Sequence, residues 1–77
     1  MDIIDVLIGQ YESEMNEHFF NIDSILRFPH KENALAELHT AVQSYALLKD
    51  QAEMLKDIKG QITAMRNQQE QEQRYEN

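Results

Sequence analysis

The chain of 77 residues is acidic, with 14 Asp and Glu residues against 7 Lys and Arg residues, and it contains no cysteine. A chain of this length forms one domain at most, and a core of this size is only marginally stable by itself. The lack of cysteine excludes disulfides and thiolate zinc sites as sources of stability. A second subunit is the remaining common source, so we expect a homo-oligomer, with a dimer as the simplest form.

The formal net charge of −7 repels phosphate backbones, which disfavours nucleic-acid binding. The charge is also uneven, because residues 1–26 hold six acids and no Lys or Arg. The N-terminal segment lacks the basic residues of a signal peptide, and no apolar run approaches the roughly 20 residues that span a membrane. These features predict a cytoplasmic protein that does not enter a membrane.

The first predicted element is a helix from about residue 3 to about residue 26, with Asp2 as its N-cap. Its apolar residues recur at steps of three and four, which places them on one helical face. The residues of this face are Ile4, Ile8, Tyr11, Met15, Phe19, Ile22 and Leu26, widened by Ile3, Leu7 and Ile25. Pro29 disfavours helical geometry at the residue before it, which predicts a loop over residues 27–33. Asn33 is expected to cap the next helix.

A second helix is predicted from residue 34 to about residue 67, because good helix formers dominate this segment. Its first apolar line follows heptad spacing. The residues of this line are Ala34, Leu38, Ala41, Tyr45, Leu48, Ala52 and Leu55. Gly60 weakens the helix by roughly 1 kcal/mol and suggests a bend or a close backbone contact. Residues 68–77 are polar and are predicted to form a flexible tail outside the domain of residues 1–67.

The short loop predicts an all-α fold in which the two helices form an antiparallel hairpin. If Leu26 faces Ala34, facing residue numbers add up to about 60, and the second helix outruns the first beyond about residue 58. Apolar side chains left uncovered there mark an interaction surface. We therefore predict dimerisation into a four-helix bundle or coiled coil. The predicted self-association residues are Leu47, Met54, Leu55, Ile58, Ile62 and Met65.

Charged residues flank the apolar faces and favour the hairpin. The register predicts three ion pairs between the helices, which are Asp2 with Lys59, Asp5 with Lys56, and Glu12 with Lys49. The alternative is a solvated charged face on each helix, since exposed pairs contribute only about 0–1 kcal/mol.

Phe20 is predicted on the outer face of the first helix, where polar residues surround it. A large aromatic residue ringed by polar groups is typical of a binding hot spot, although a second subunit or the bend before Pro29 is an alternative cover for it. The predicted partner-binding residues are Asp5, Glu12, Asn16, Phe20 and Asp23.

No residue pattern predicts catalysis, a cofactor or a metal ion. Glu14 and His18 lie four residues apart, but a zinc site needs three or four ligands. Glu37 and His39 lie two apart and point to different sides of a helix. Carboxylates on an open hairpin lack the burial that acid–base catalysis needs, and no glycine-rich loop or nucleophile motif occurs.

The sequence therefore predicts a non-enzymatic protein–protein interaction module, such as a small adaptor, chaperone or inhibitor. Its acidic charge suits a partner protein with a basic or nucleic-acid-binding site. One alternative is a purely structural assembly subunit. Another is an RNA-binding dimer of hairpins, which the negative charge disfavours and whose basic stripe would be Lys49, Lys56, Lys59 and Arg66.

Overall fold

The computed structural model describes residues 2–76 of the chain, and the side chains of residues 2–70. The described residues form two α-helices, α1 (Ile3–Arg27) and α2 (Ala34–Glu76), which pack against each other. The short loop between them makes the helices antiparallel neighbours, and the molecule measures 70 × 19 × 13 Å. The predicted all-α hairpin with a longer second helix is confirmed.

The ends of α1 follow from residues at its two termini. Asp2 has extended backbone, and its Oδ1 atom accepts a hydrogen bond from the Ile4 N–H at 3.4 Å, which confirms the predicted N-cap. At the other end, the Phe28 N–H donates to the Ile25 carbonyl at 3.1 Å, just before Pro29 stops the helix. Arg27 lies in the last turn, where a cation complements the helix dipole.

Asn33 starts α2 in a way that the sequence did not predict. Its carbonyl accepts the Glu37 N–H at 2.9 Å, which is the first helical hydrogen bond of α2. Its φ of 68° lies in the left-handed region, which asparagine tolerates better than most residues. Among residues 2–70 no backbone N–H donates to the Asn33 side chain, so the predicted side-chain cap is not formed. Asn33 therefore forms the turn before α2 through its left-handed backbone conformation and not through its side chain.

The seam between the helices follows one heptad line on each helix, with steps that alternate between four and three residues. On α1 the buried and half-buried residues of this line are Ile4, Ile8, Tyr11, Met15, His18, Ile22 and Ile25. On α2 they are Ala34, Leu38, Ala41, Tyr45, Leu48, Ala52 and Leu55, as predicted. Successive layers pair residues whose numbers add up to 59 or 60, such as Ile25 with Ala34, which share one buried cluster.

Three residues of the predicted α1 face lie outside the seam, and one of them, Ile3, is 84% exposed at the start of the helix. Phe19 and Leu26 are 55% and 59% exposed, whereas His18 is half-buried and Ile25 is buried. The heptad line of α1 alternates steps of four and three residues, so the positions that follow Met15 are 18, 22 and 25. A step of four from Met15 to Phe19 would follow the step of four from Tyr11 and break this alternation. The prediction followed the larger apolar residue at each turn, while the structure follows the regular spacing.

The core of the hairpin is small. Its buried residues are Ile8, Ile25, Ala34, Ala41 and Ala52. Alanine lets two helices approach closely but removes little apolar area from water, and hydrophobic stabilisation scales with that area. The hairpin therefore gains modest stability from its own seam.

Helix α2 continues to Glu76, nine residues beyond the predicted end near residue 67. Gln, Glu and Arg dominate this segment and are good helix formers, and the segment contains no Gly or Pro. An existing helix also extends without the cost of new nucleation. The structure thus has no boundary at residue 67, while the flexibility of residues 68–77 stays a prediction, and Asn77 lies outside the described residues.

Gly60 lies inside α2 without a contact that requires glycine. A Cβ atom at this position would meet no atom within 4 Å, and its φ is not positive. We expect Gly60→Ala to raise the free energy of unfolding by roughly 0.8–1 kcal/mol, because alanine has the higher helix propensity. Urea titration followed by circular dichroism measures this change. Gly9→Ala, equally open in α1, is the matched control, and a loss of stability confined to Gly60→Ala would contradict the expectation.

Candidate interaction surfaces

The described residues offer no membrane-spanning helix and no metal site. None of the helices combines the length and apolar character needed to cross a bilayer. Within the same part of the chain, no three His, Asp or Glu side chains come together as possible metal ligands. Glu14 and His18 thus remain an isolated pair. What the structure presents for binding is the outer surface of the hairpin.

One side of the hairpin carries two ion pairs between the helices, and we call it the salt-bridge side. The Lys59 ammonium donates a hydrogen bond to Oδ1 of Asp5. The Lys56 ammonium lies 3.9 Å from a carboxylate oxygen of Glu12. The hydrogen bond to Asp5 raises the pKa of Lys59 above its ordinary value, partial desolvation opposes this, and the charges of Asp5 and Asp2 add to it. The contact with Asp5 thus favours the charged form of Lys59.

These pairs involve the predicted helices but different partners. Asp5 was expected to face Lys56 and now bonds Lys59, and Glu12 was expected to face Lys49 and now pairs with Lys56. Side chains on a helix tilt toward its N-terminus, so in an antiparallel pair they lean toward each other along the axis. The residue numbers of the two ion pairs consequently add up to 64 and 68, which is four and eight more than the sum of about 60 for directly facing positions. The predicted pair of Asp2 with Lys59 is not formed.

A line of apolar side chains on α2 points away from α1, and we call it the apolar strip. Its residues are Leu47 (60% exposed), Met54 (63%), Ile58 (37%), Ile62 (36%) and Met65 (51%). At about 100° per residue they share one helical face, turned by about 110° from the seam. Leu55, which was predicted with them, is half-buried on the seam and does not belong to the strip.

The strip extends past the end of α1. Because facing numbers add up to about 60, Ile3 at the start of α1 lies opposite residue 57. Residues 58–76 of α2 therefore run on for about 28 Å at 1.5 Å per residue, and we call this segment the overhang. Ile58, Ile62 and Met65 lie on it. Their exposure in the hairpin agrees with the predicted length mismatch.

Toward the loop, the same face of α2 changes from large to small side chains. Ala36, Thr40 and Ser44 continue the line of the apolar strip at steps of four. Together with His18 and Asn21 of α1 they line an open groove of about 610 Å³ on the side of the hairpin opposite the salt bridges. We call it the groove. It is wide because the wall on α2 carries little side-chain volume.

Three of the predicted partner-binding residues take part in ion pairs. Asp5 and Glu12 pair with lysines of α2, and Asp23 pairs with Arg27 of α1 at 3.0 Å. Phe20 is 68% exposed on the outer face, as predicted, and its ring meets that of Phe19 edge-on with centroids 5.9 Å apart. Asn16 is exposed. Asp5 and Glu12 thus pair across the two helices, Asp23 pairs within α1, and Phe20 remains exposed.

Sequence reasoning missed an apolar patch near the loop. By heptad position, four exposed residues lie on the salt-bridge side of the two helices there: Phe19, Leu26, Leu35 and Val42. The signal was present in the sequence, because strict alternation of four and three assigns positions 18 and 25 to the seam. Once those positions are assigned, residues 19 and 26 fall beside the seam and not in it.

The accessible surface of the chain is large for its mass. It amounts to 6576 Å², whereas a compact monomer of 9.1 kDa has about 4,900 Å². The chain thus exposes about 1,700 Å² more than a compact monomer of this mass. Most of its large apolar side chains are among the exposed residues. A standard interface covers about 800 Å² on each partner, so the chain exposes enough surface for a stable dimer.

Comparisons with known proteins do not add to this picture, because no family model, no curated protein and no solved structure matches the chain.

Proposed function

We propose that this protein is a non-enzymatic interaction module that self-associates through the apolar strip of α2 and binds another protein through its remaining exposed surface. The dimer is its working unit. The observation that carries the proposal is the overhang, which presents Ile58, Ile62 and Met65 beyond the reach of their own α1. Uncovered apolar patches of this kind mark interaction sites in proteins.

A second copy is the occupant that the strip favours. The hairpin seam buries few large side chains, and small domains compensate for a weak core by association. The surface excess of about 1,700 Å² per chain is larger than the roughly 800 Å² that a standard interface covers on each partner. A strip confined to one helix face also suits a two-fold contact, in which the same patch meets itself.

A foreign partner protein would use surface that the dimer leaves free. Phe19 and Phe20 present two aromatic rings next to each other, and aromatic residues are common binding hot spots. The chain carries a net charge of −7, which suits a basic surface on that partner, including a nucleic-acid-binding site. The role would then be that of an adaptor, chaperone or inhibitor.

Two other functions have some support. A purely structural assembly subunit is favoured by the internal pairing of Asp5, Glu12 and Asp23, which removes them from a partner face. An RNA-binding dimer is less favoured, because Lys56 and Lys59 of the basic stripe are already paired with acids. Phosphate binding would have to compete with those pairs.

The test of self-association is the mass of the native protein in solution. We expect sedimentation equilibrium to give twice the chain mass of 9.1 kDa at micromolar concentration, with dissociation on dilution. High salt should leave the mass unchanged, because the contact is apolar and screening acts mainly on exposed charges. A species of single-chain mass at every concentration tested would contradict the proposal.

A further inference from the structure

We propose that two copies pair through α2 in an antiparallel arrangement, so that the overhang of each copy lies in the groove of the other. This inference rests on the proposed self-association and specifies its geometry. The two-fold axis would pass near residue 56, and facing residues of the two α2 helices would have numbers that add up to 112.

The bounds of α2 favour this register. The helix runs from Ala34 to Glu76, so its midpoint lies at residue 55. Antiparallel pairing about residue 56 superposes residues 36–76 of the two copies and leaves almost no helix unpaired. Each overhang then runs alongside the hairpin body of the other copy, where its own α1 does not reach. The contact extends over about 60 Å at 1.5 Å per residue.

The side chains along the strip match themselves in this register. Positions 47, 51, 54, 58, 61 and 65 follow heptad steps and read Leu, Gln, Met, Ile, Gln, Met. Reversed about residue 56, Leu47 faces Met65, Gln51 faces Gln61, and Met54 faces Ile58. At these six positions apolar residues meet apolar residues and each glutamine meets a glutamine, while Ile62 lies at the edge of the contact, opposite Asp50.

The groove then receives the end of the overhang. Residues 68, 72 and 76 of the second copy come opposite Ser44, Thr40 and Ala36, whose short side chains leave space for another helix. The remaining groove wall is formed by His18 and Asn21 of α1, Glu37 and Ala41 of α2, and Lys31 of the loop. The strip and the groove are thus two halves of one face of α2, and each half receives the other half of a second copy.

Charge supports the antiparallel orientation over the parallel one. At the height of Arg66, the second copy presents residue 14 of its α1, so the Arg66 guanidinium comes beside Glu14, an exposed acid on the groove side of α1. A parallel pair would instead place Arg66 beside Arg66, beyond the start of both α1 helices. It would also set the grooves of the two copies opposite each other, with only short side chains between them. Opposite charges across a contact fix orientation and register, and like charges disfavour it.

Single cysteines introduced into this cysteine-free chain test the orientation. Gln51→Cys and Gln61→Cys are chosen because they leave every apolar residue of the strip in place. In the antiparallel register, residue 51 faces residue 61 of the other copy, whereas two residues 51 are about 15 Å apart along the axis. A disulfide needs Cα atoms within about 7 Å, so like residues cannot be joined.

We expect mild oxidation of the two variants mixed together, one of them isotopically labelled, to give a covalent heterodimer in mass spectrometry. Each variant oxidised alone should give at least tenfold less covalent dimer. Glu53→Cys, on the outer face of α2, is the control for random collision. Efficient crosslinking of each variant alone would overturn the proposal in favour of parallel pairing. No crosslinking above the control, with wild-type protein dimeric in sedimentation, would overturn the register while leaving self-association intact.

Discussion

Replacing Ile58 and Ile62 together by Asp is expected to convert the proposed dimer into monomers. Full burial of an isoleucine side chain contributes about 1.5–3 kcal/mol, and the dimer loses four of them. Even with partial burial, the dissociation constant rises at least about a thousandfold, which corresponds to about 4 kcal/mol. The unfolding free energy at a fixed protein concentration also falls, because the association no longer contributes to it. Multi-angle light scattering measures the mass directly.

The matched control is Leu35→Asp with Val42→Asp, which adds the same charge to the same helix at two exposed apolar positions away from the strip. We expect this variant to remain dimeric. If it dissociates and the first variant does not, the self-association surface is the patch near the loop. If the Ile58 and Ile62 variant keeps the dimer mass, the assignment of the apolar strip is contradicted.

The second large effect is expected at Ala52, which is only 2% exposed in the hairpin seam. Ala52→Asp places an unpaired charge between the helices, which costs roughly 3 kcal/mol or more. The seam buries few large residues, so it cannot offset this cost. We therefore expect the hairpin to be lost, and circular dichroism should show a much lower midpoint of urea unfolding. Ala46→Asp, at an exposed position of the same helix, should cost only about 0.5 kcal/mol in helix propensity.

Similar losses of stability in Ala52→Asp and Ala46→Asp would contradict the packing of the seam, because α1 covers Ala52 and does not cover Ala46. A comparison at equal protein concentration is required, since association contributes to the measured stability. Ile8→Ala provides an independent check of the same seam from the α1 side. Its expected loss is about 2–4 kcal/mol, because the isoleucine is buried and its removal leaves a cavity.

The candidate surfaces were predictable to different degrees. The exposure of Ile58, Ile62 and Met65 followed from the lengths of two helices and one loop, which local sequence determines. Leu55 was assigned to the same surface because it lies near these residues on the helix, yet it belongs to the seam. A rotation of α2 by about one residue position would move Leu55 from the seam to the apolar strip, and the packing of α1 sets that rotation.

The ion pairs show the same division. Opposite charges on the two helices favoured pairs across them, with a solvated charged face on each helix as the alternative. Which lysine meets which acid depended on the tilt of the side chains along antiparallel axes, and Asp5 consequently bonds Lys59 and not Lys56. Residue spacing alone contains no information about that tilt.

The sequence by itself determined α1, its N-cap at Asp2, its end before Pro29, and the start and heptad line of α2, because these depend on local hydrogen bonding and on periodicity along one helix. Only the tertiary structure decided that His18 and Ile25 enter the seam while Phe19 and Leu26 face outward. It likewise decided that the face beside the seam combines a groove with an apolar strip. The physical reason is that the outward face of a helix is defined by the neighbour it packs against, and a rotation of one residue position exchanges covered and exposed side chains.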